Sequence, residues 1–183
     1  MRPSLFFRTA LALIVTAALR LSAAEAQTVL FDPFKPYPTN GGSTSIATAD
    51  LDLDGRLDLA TANVGGTISV LRGLGAGTFA APVQHAAGEL PVFIAACKLD
   101  KDGRPDLVVA DYGFGFDKIS VFLNTSAGPG SLTFAHTLYG AGERPVAIAC
   151  ADVDGDGDQD LGIANQDSED LTLLLNDGNG AFQ

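Results

Sequence analysis

The equipment for catalysis or nucleic-acid binding is thin in this chain. Only two histidines, His85 and His136, are present. They fall at unequal places in the sequence pattern and read as surface or turn residues. There is no G-x-S-x-G elbow and no phosphate-binding loop, and neither cysteine has a nucleophile's surroundings, so the chain is expected not to be an enzyme. Basic residues are scarce, 11 against 22 acidic ones, for a net charge of −11. That excludes a phosphate-binding face, and with it nucleic acid and anionic membrane surfaces. Two cysteines, Cys97 and Cys150, are too few for a disulfide-dense scaffold. They allow one bridge or two buried thiols. Aromatic residues are few, and beyond the N-terminus no apolar run is long enough to span a bilayer.

The N-terminus has its own pattern. Arg2 and Arg8 precede an apolar run over residues 10–19, and Ala24-Glu25-Ala26 offers a small-x-small site. This reads as a secretory signal peptide over residues 1–26, cleaved before Gln27. An uncleaved anchor is the alternative, but the run is short and Arg20 interrupts it. Loss of three arginines and one glutamate takes the charge from −11 to −13 for residues 27–183. Such acidity marks either a solvated surface or cation sites. Most aspartates fall in three clusters, which points to the second.

Repetition is the most informative feature. With Phe31, Phe79 and Phe134 aligned, an acidic loop begins 19, 19 and 18 residues later, at Asp50, Lys98 and Asp152. The units are 31–78, 79–133 and 134–181. Each begins with a polar, Pro/Gly-marked stretch (33–42, 82–88, 135–142). A short apolar strand follows (45–49, 92–97, 146–151), then the acidic loop, then a second strand (59–62, 107–110, 161–164) and a third (68–71, 119–122, 171–174). A Gly-rich hairpin turn leads to the next Phe (73–79, 126–134, 176–182). Short, punctuated, Val/Ile/Leu-rich runs fit strands better than helices. Four strands in about 50 residues match one blade of a propeller. The second unit's extra length lies in two loops, 113–118 and 125–132. Each cysteine ends an equivalent strand, one place out of register, so the two point either toward each other or apart.

The acidic loops carry the chemistry. Asp50-Leu51-Asp52-Leu53-Asp54-Gly55-Arg56-Leu57-Asp58-Leu59 and Asp152-Val153-Asp154-Gly155-Asp156-Gly157-Asp158-Gln159-Asp160-Leu161 share the form D-x-D-x-D-G-x-x-D-L. Calcium takes six to eight oxygens at about 2.3–2.6 Å, and alternate positions 1, 3 and 5 of a tight loop converge to supply them. Glycine at position 6 permits the bend. The expected ligands are Asp50, Asp52, Asp54, the Arg56 carbonyl and Asp58 in the first loop. In the third they are Asp152, Asp154, Asp156, the Asp158 carbonyl and Asp160, with the Asp158 side chain pointing outward. Ordinary Asp turns explain one or two acids per turn, not four at fixed spacing whose repulsion opposes folding. An EF-hand requires Glu at position 12 and flanking helices. Thr61, Val109 and Ile163 stand there, between β-like runs.

The second loop, Lys98-Leu99-Asp100-Lys101-Asp102-Gly103-Arg104-Pro105-Asp106-Leu107, replaces the first carboxylate with lysine. Asp100, Asp102, the Arg104 carbonyl and Asp106 remain, so weak or absent metal binding is expected. The Lys98 ammonium can take the cation's place by pairing with Asp100 and Asp102.

These loops, with Gly-x-Gly-x-Phe at 75–79 and 178–182, make the chain resemble the FG-GAP/VCBS repeat over about residues 28–183. That repeat builds the blades of integrin α-subunit propellers and of many secreted bacterial proteins. The resemblance implies an all-β fold of three four-stranded propeller blades with calcium as the bound ion. It also implies a secreted or cell-surface module that binds a protein or glycan without catalysis. The alternative is the non-catalytic propeller part of a larger secreted enzyme acting on polysaccharide; a plain structural or surface-layer role is a third reading.

Three blades do not close a ring that uses about four to eight. A strand near Phe31 is expected to supply the outer strand that the last unit lacks. The chain is then a fragment of a longer propeller, which the stop at Gln183 favours, or a homo-oligomer such as a dimer closing a six-bladed ring, or an open arc. Phe31, Phe79, Phe134 and Phe182 are expected in the blade core. Tyr112, Phe114 and Phe116 are expected in a packed loop rather than an exposed ligand contact.

Overall fold

The computed structural model describes residues 35–39, 41–115 and 117–183. The expected signal peptide, Phe31 with any strand around it, and Phe116 lie outside the described residues. Tyr37–Gln183 make one unit, and the account below concerns that unit.

The short apolar runs form strands throughout, and no helix is present among the described residues. Three antiparallel sheets follow one another along the chain. The first holds β1 (Ser43–Ala49), β2 (Asp58–Asn63), β3 (Thr67–Leu71) and, after a small hairpin of β4 (Gly73–Gly75) and β5 (Thr78–Phe79), β6 (Val83–Ala86), in that spatial order. The second holds β7 (Pro91–Cys97), β8 (Asp106–Asp111), β9 (Lys118–Asn124) and β10 (Phe134–Gly140). The third holds β11 (Pro145–Ala151), β12 (Asp160–Asn165) and β13 (Asp170–Leu174). The all-β, blade-like architecture expected from the sequence holds, and no sheet closes on itself.

Registers repeat from sheet to sheet. Ala49 pairs with Asp58, Cys97 with Asp106 and Ala151 with Asp160, so each acidic loop bridges the same two strands at the same place. Each inner strand opens with an irregularity, at Ser43/Ser45, Pro91/Phe93 and Pro145/Ala147.

Two differences from the sequence reading concern the outer strands. The stretches read as polar and Pro/Gly-marked contain β6 and β10. These strands lie at the outer edge of their sheets with most residues facing solvent, so they lack the apolar alternation that marks a half-buried strand. The first two sheets therefore each take three strands from one sequence unit and a fourth from the start of the next. The third sheet has three strands among the described residues, where four were expected.

The core lies between sheets. One cluster joins Ala60, Ala62, Ile68 and Val70 of the first sheet to Ile94, Leu107, Val109 and Phe122 of the second. The other joins Val108, Ala110, Ile119 and Val121 of the second to Ile148, Leu161 and Ile163 of the third. Strand β8 is buried along its whole length because both faces of the middle sheet are covered. Burying each large aliphatic side chain contributes about 1.5–3 kcal/mol. Phe134 and Phe182 pack against these clusters, as expected of the recurring Phe.

Cys97 and Cys150 are joined in a disulfide, with Cα atoms 6.2 Å apart and a sequence separation of 53. The one-place offset turns them toward each other: Cys97 ends β7 on the face that meets the third sheet, and Cys150 lies on β11 opposite it. The bridge ties two neighbouring sheets. Replacing both cysteines with serine is expected to lower stability by about 2–4 kcal/mol. Denaturant unfolding of the oxidised chain and the double variant reads this, and equal midpoints would contradict it.

Candidate metal centres

Each acidic loop is a tight turn between an inner strand and its neighbour. In the first, one carboxylate oxygen from each of Asp50, Asp52 and Asp54 lies within 4.8 Å of the others; Asp152, Asp154 and Asp156 do the same in the third. Backbone N–H groups aim these carboxylates. Asp50 accepts from Asp54 at 3.0 Å and Gly55 at 2.9 Å. Asp152 accepts from Gly155 at 2.7 Å and Gly157 at 3.0 Å. Asp54 and Asp156 each accept from the residue two places on, Arg56 and Asp158, at 2.9 Å.

The bend uses left-handed backbone at two places. Gly55 and Gly157 have φ of 85° and 95° at position 6; Leu53 and Gly155 have φ of 58° and 84° at position 4. Leucine there costs about 1 kcal/mol or more that glycine does not, so the first loop holds its three carboxylates together against backbone strain.

Asp58 and Asp160 lie outside these three-carboxylate sets. Asp58 accepts from Leu51 N–H at 2.8 Å and Gly73 N–H at 2.7 Å, one on each oxygen. Asp160 does the same with Val153 and Asn176, at 2.9 Å each, and Asp106 with Leu99 at 2.8 Å and Asn124 at 2.7 Å. These aspartates knot the loop to the turn that follows the third strand. Burial pushes Asp58 up and Asp106 up to about 6, against the pull of the two N–H bonds. Asp160 is held below the usual carboxylate range, chiefly by the Asn176 N–H and then by that of Val153.

In the second loop the pairing expected of Lys98 is made by another residue. No three-carboxylate set forms there among the described residues. Arg104, not Lys98, pairs with Asp102 and also donates to the Asn124 carbonyl at 2.9 Å. Lys98 makes no ion pair among the described residues; its N–H donates to Gln159 Oε1 at 2.7 Å. Nor does the Asp158 side chain point outward: it meets Lys101 of the second loop at 3.4 Å. Arg56, assigned a carbonyl role, also carries its guanidinium to Asp54 at 3.2 Å.

Sequence reasoning missed Asn124 and Asn176. Each donates through Nδ2 to the position-2 carbonyl of the preceding sheet's loop, Leu51 at 2.7 Å and Leu99 at 2.8 Å. Each also donates to its own loop, at Pro105 and Gln159, both 2.9 Å. Asparagine after a strand reads as a turn residue, and only its recurrence at one repeat position hinted at more. The insertion over 125–132 adds a contact, Gly130 N–H to Asp52 at 2.6 Å.

The two histidines lie on strands rather than turns, His85 on β6 and His136 on β10. Ser120 donates to Asp111 at 2.7 Å and accepts from Gly88 N–H at 3.1 Å, with His136 Nε2 2.9 Å away. The serine sits between histidine and aspartate and is fully buried, so this is not a nucleophile activated by a base. Burial raises Asp111 to about 7. Antiparallel strands place the opposite end of the first two sheets around a cleft of about 670 Å³, lined by Gly66, Gly88, Glu89, Leu90, Tyr112 and Phe114 among others. Phe114 is 88% exposed, contrary to the packed loop expected, with the Arg144 guanidinium 4.0 Å above its ring.

Between the ordinary 3.8 and about 7, the unfolded chain releases a proton that folded Asp111 keeps. The stability this group confers at low pH is therefore lost as pH rises to about 7. Asp111→Asn is expected to stabilise the fold at pH 8, by roughly 1–3 kcal/mol, and to change it little at pH 4. Denaturant melts at both pH values read this, and equal effects would contradict it.

No curated protein matches the chain. A family model for the FG-GAP-like repeat matches residues 50–109 and 98–163, each match starting in one acidic loop and running past the next. Together they span more than half of the sequence, and the chain belongs to the FG-GAP-like repeat family.

Proposed function

We propose that this chain is a secreted or cell-surface calcium-binding module of β-propeller blades, which binds a protein or glycan and carries no catalysis. The observation that supports it most is the convergence of three carboxylates within 4.8 Å in two loops of one form. The donor set is all hard oxygen, which suits Ca²⁺ and not a thiophilic metal. Asp50, Asp52, Asp54 and the Arg56 carbonyl would hold one ion, and Asp152, Asp154, Asp156 and the Asp158 carbonyl another. Asp58 and Asp160 close the base of each loop, in addition to their backbone bonds. The second loop, with Lys98 in place of the first carboxylate, is not expected to hold one.

The ion supplies positive charge where the carboxylates repel, so its role is to staple two strands. The signal-type N-terminus and the disulfide fit an oxidising, calcium-rich compartment. Among the described residues, no helix is long and apolar enough to cross a membrane. The ligand is assigned to the other end of the sheets, where the cleft and the exposed Phe114 lie on loops.

At free calcium 100 times Kd, each site stabilises by about 2.7 kcal/mol. Thermal melts in calcium and in chelator are therefore expected to differ, with the lower midpoint in chelator. Asp54→Ala and Asp156→Ala should each remove part of that difference, and Asp102→Ala little. Equal midpoints in the two buffers, or equal losses from all three variants, would contradict the reading.

A further inference from the structure

The turn between β9 and β10 of the second sheet reaches across the sheet junction onto the first acidic loop. Asn124, at its start, donates through Nδ2 to the Leu51 carbonyl at 2.7 Å. Gly130, inside the inserted stretch 125–132, donates its N–H to Asp52 Oδ2 at 2.6 Å across 78 residues of sequence. The turn is braced for this reach. Ser126 N–H donates to Asn124 Oδ1 at 3.0 Å, Thr133 N–H to Ser126 Oγ at 3.2 Å, and Ser131 N–H to the Gly128 carbonyl at 3.0 Å. Gly130 holds φ at 87°, which glycine takes without a side-chain clash.

Asp52 is the fully buried member of the first trio, while Asp50 and Asp54 are partly exposed. A buried carboxylate needs hydrogen bonds to offset its lost hydration. Its Oδ1 accepts from Asp54 N–H within the loop at 3.1 Å, and its Oδ2 from the next sheet. The carboxylate is therefore oriented from two sheets at once. The second junction has the same layout with one difference. Asn176 donates to the Leu99 carbonyl at 2.8 Å, as Asn124 does to Leu51. But the third sheet's turn meets Asp100 through backbone, at Asn179, and the Asp100 carboxylate accepts from Asp102 N–H in its own loop at 3.1 Å. The carboxylate contact occurs where the loop carries a trio, and a backbone bridge stands where lysine has replaced the first carboxylate.

We infer that the inserted turn is part of the first metal site: Gly130 N–H positions Asp52, so that calcium in the first loop and closure of the turn over it stabilise each other. The inference rests on the calcium reading of that loop proposed above. Gly130 does not ligate the ion; it acts through Asp52, by holding one oxygen and fixing the angle at which the other is presented. Groups that hold a metal's ligands in this way typically set affinity by 10–100-fold. Linkage makes the effect reciprocal: the factor by which the closed turn favours calcium is the factor by which calcium favours the closed turn.

Hydrogen exchange over residues 125–133, read by mass spectrometry with Ca²⁺ and with chelator, tests this alongside isothermal titration with Ca²⁺. Calcium is expected to slow exchange there by roughly tenfold, within the range usual for coupled sites. Asp156→Ala, in the third loop, should keep the slowing. Asp54→Ala should abolish it, since that substitution removes a ligand but leaves the Asp54 N–H on Asp52. In the Asp156→Ala chain, which retains the first site, deleting residues 128–131 should raise Kd by a similar factor. An ion titrating into the first loop with no change in exchange over 125–133 would overturn the inference and leave the calcium reading standing. So would slowing that survives Asp54→Ala, slowing spread equally over every turn of the chain, or an unchanged Kd in the shortened turn. Titration that detects no bound ion would overturn both.

Discussion

Crowded negative charge is the constraint around which the rest is arranged. Three carboxylates drawn within 4.8 Å repel one another, and each loop must offset that repulsion. Backbone N–H groups take a share in every loop. In the first and third loops, on the function proposed above, the remainder would fall to a cation from outside. In the second, lysine stands where the first carboxylate would be, and Arg104 pairs with Asp102 as Arg56 pairs with Asp54 in the first. The middle loop thus differs from the other two by one missing carboxylate.

The loops are also structural joints. The position-nine aspartates Asp58, Asp106 and Asp160 tie each loop to the turn after its third strand. Asn124 and Asn176 then tie that turn to the preceding sheet's loop. The apolar clusters and the Cys97–Cys150 bridge join the same sheets at their faces. Loop, turn and neighbouring sheet form a continuous chain of buried contacts, so order imposed on one loop is felt across the junction. The opposite end of the sheets is left to longer loops, where the cleft and Phe114 lie.

Much of this was legible in the sequence. The inner three strands of each blade announced themselves by apolar runs at a fixed distance from an acidic loop, because those strands are buried and the loops have a demanding geometry. The outer strands β6 and β10 did not, since their exposed faces carry no apolar period. The converging trios Asp50/Asp52/Asp54 and Asp152/Asp154/Asp156 could be read from spacing. The partners of the lysines and arginines could not: long side chains choose among several acids in three dimensions, and Arg104 rather than Lys98 took Asp102. Asn124 and Asn176 act through side-chain bonds to backbone carbonyls more than 70 residues away, which no local pattern encodes. The exposure of Phe114 is likewise decided by how its loop stands off the sheet.

The central claim is that the first and third loops, and not the second, each enclose a calcium ion. Isothermal titration of the chelator-stripped chain with Ca²⁺ tests it most directly. The account predicts two ions bound per chain, falling to one in either Asp52→Ala or Asp154→Ala. Binding of no ion, or of three, would contradict it.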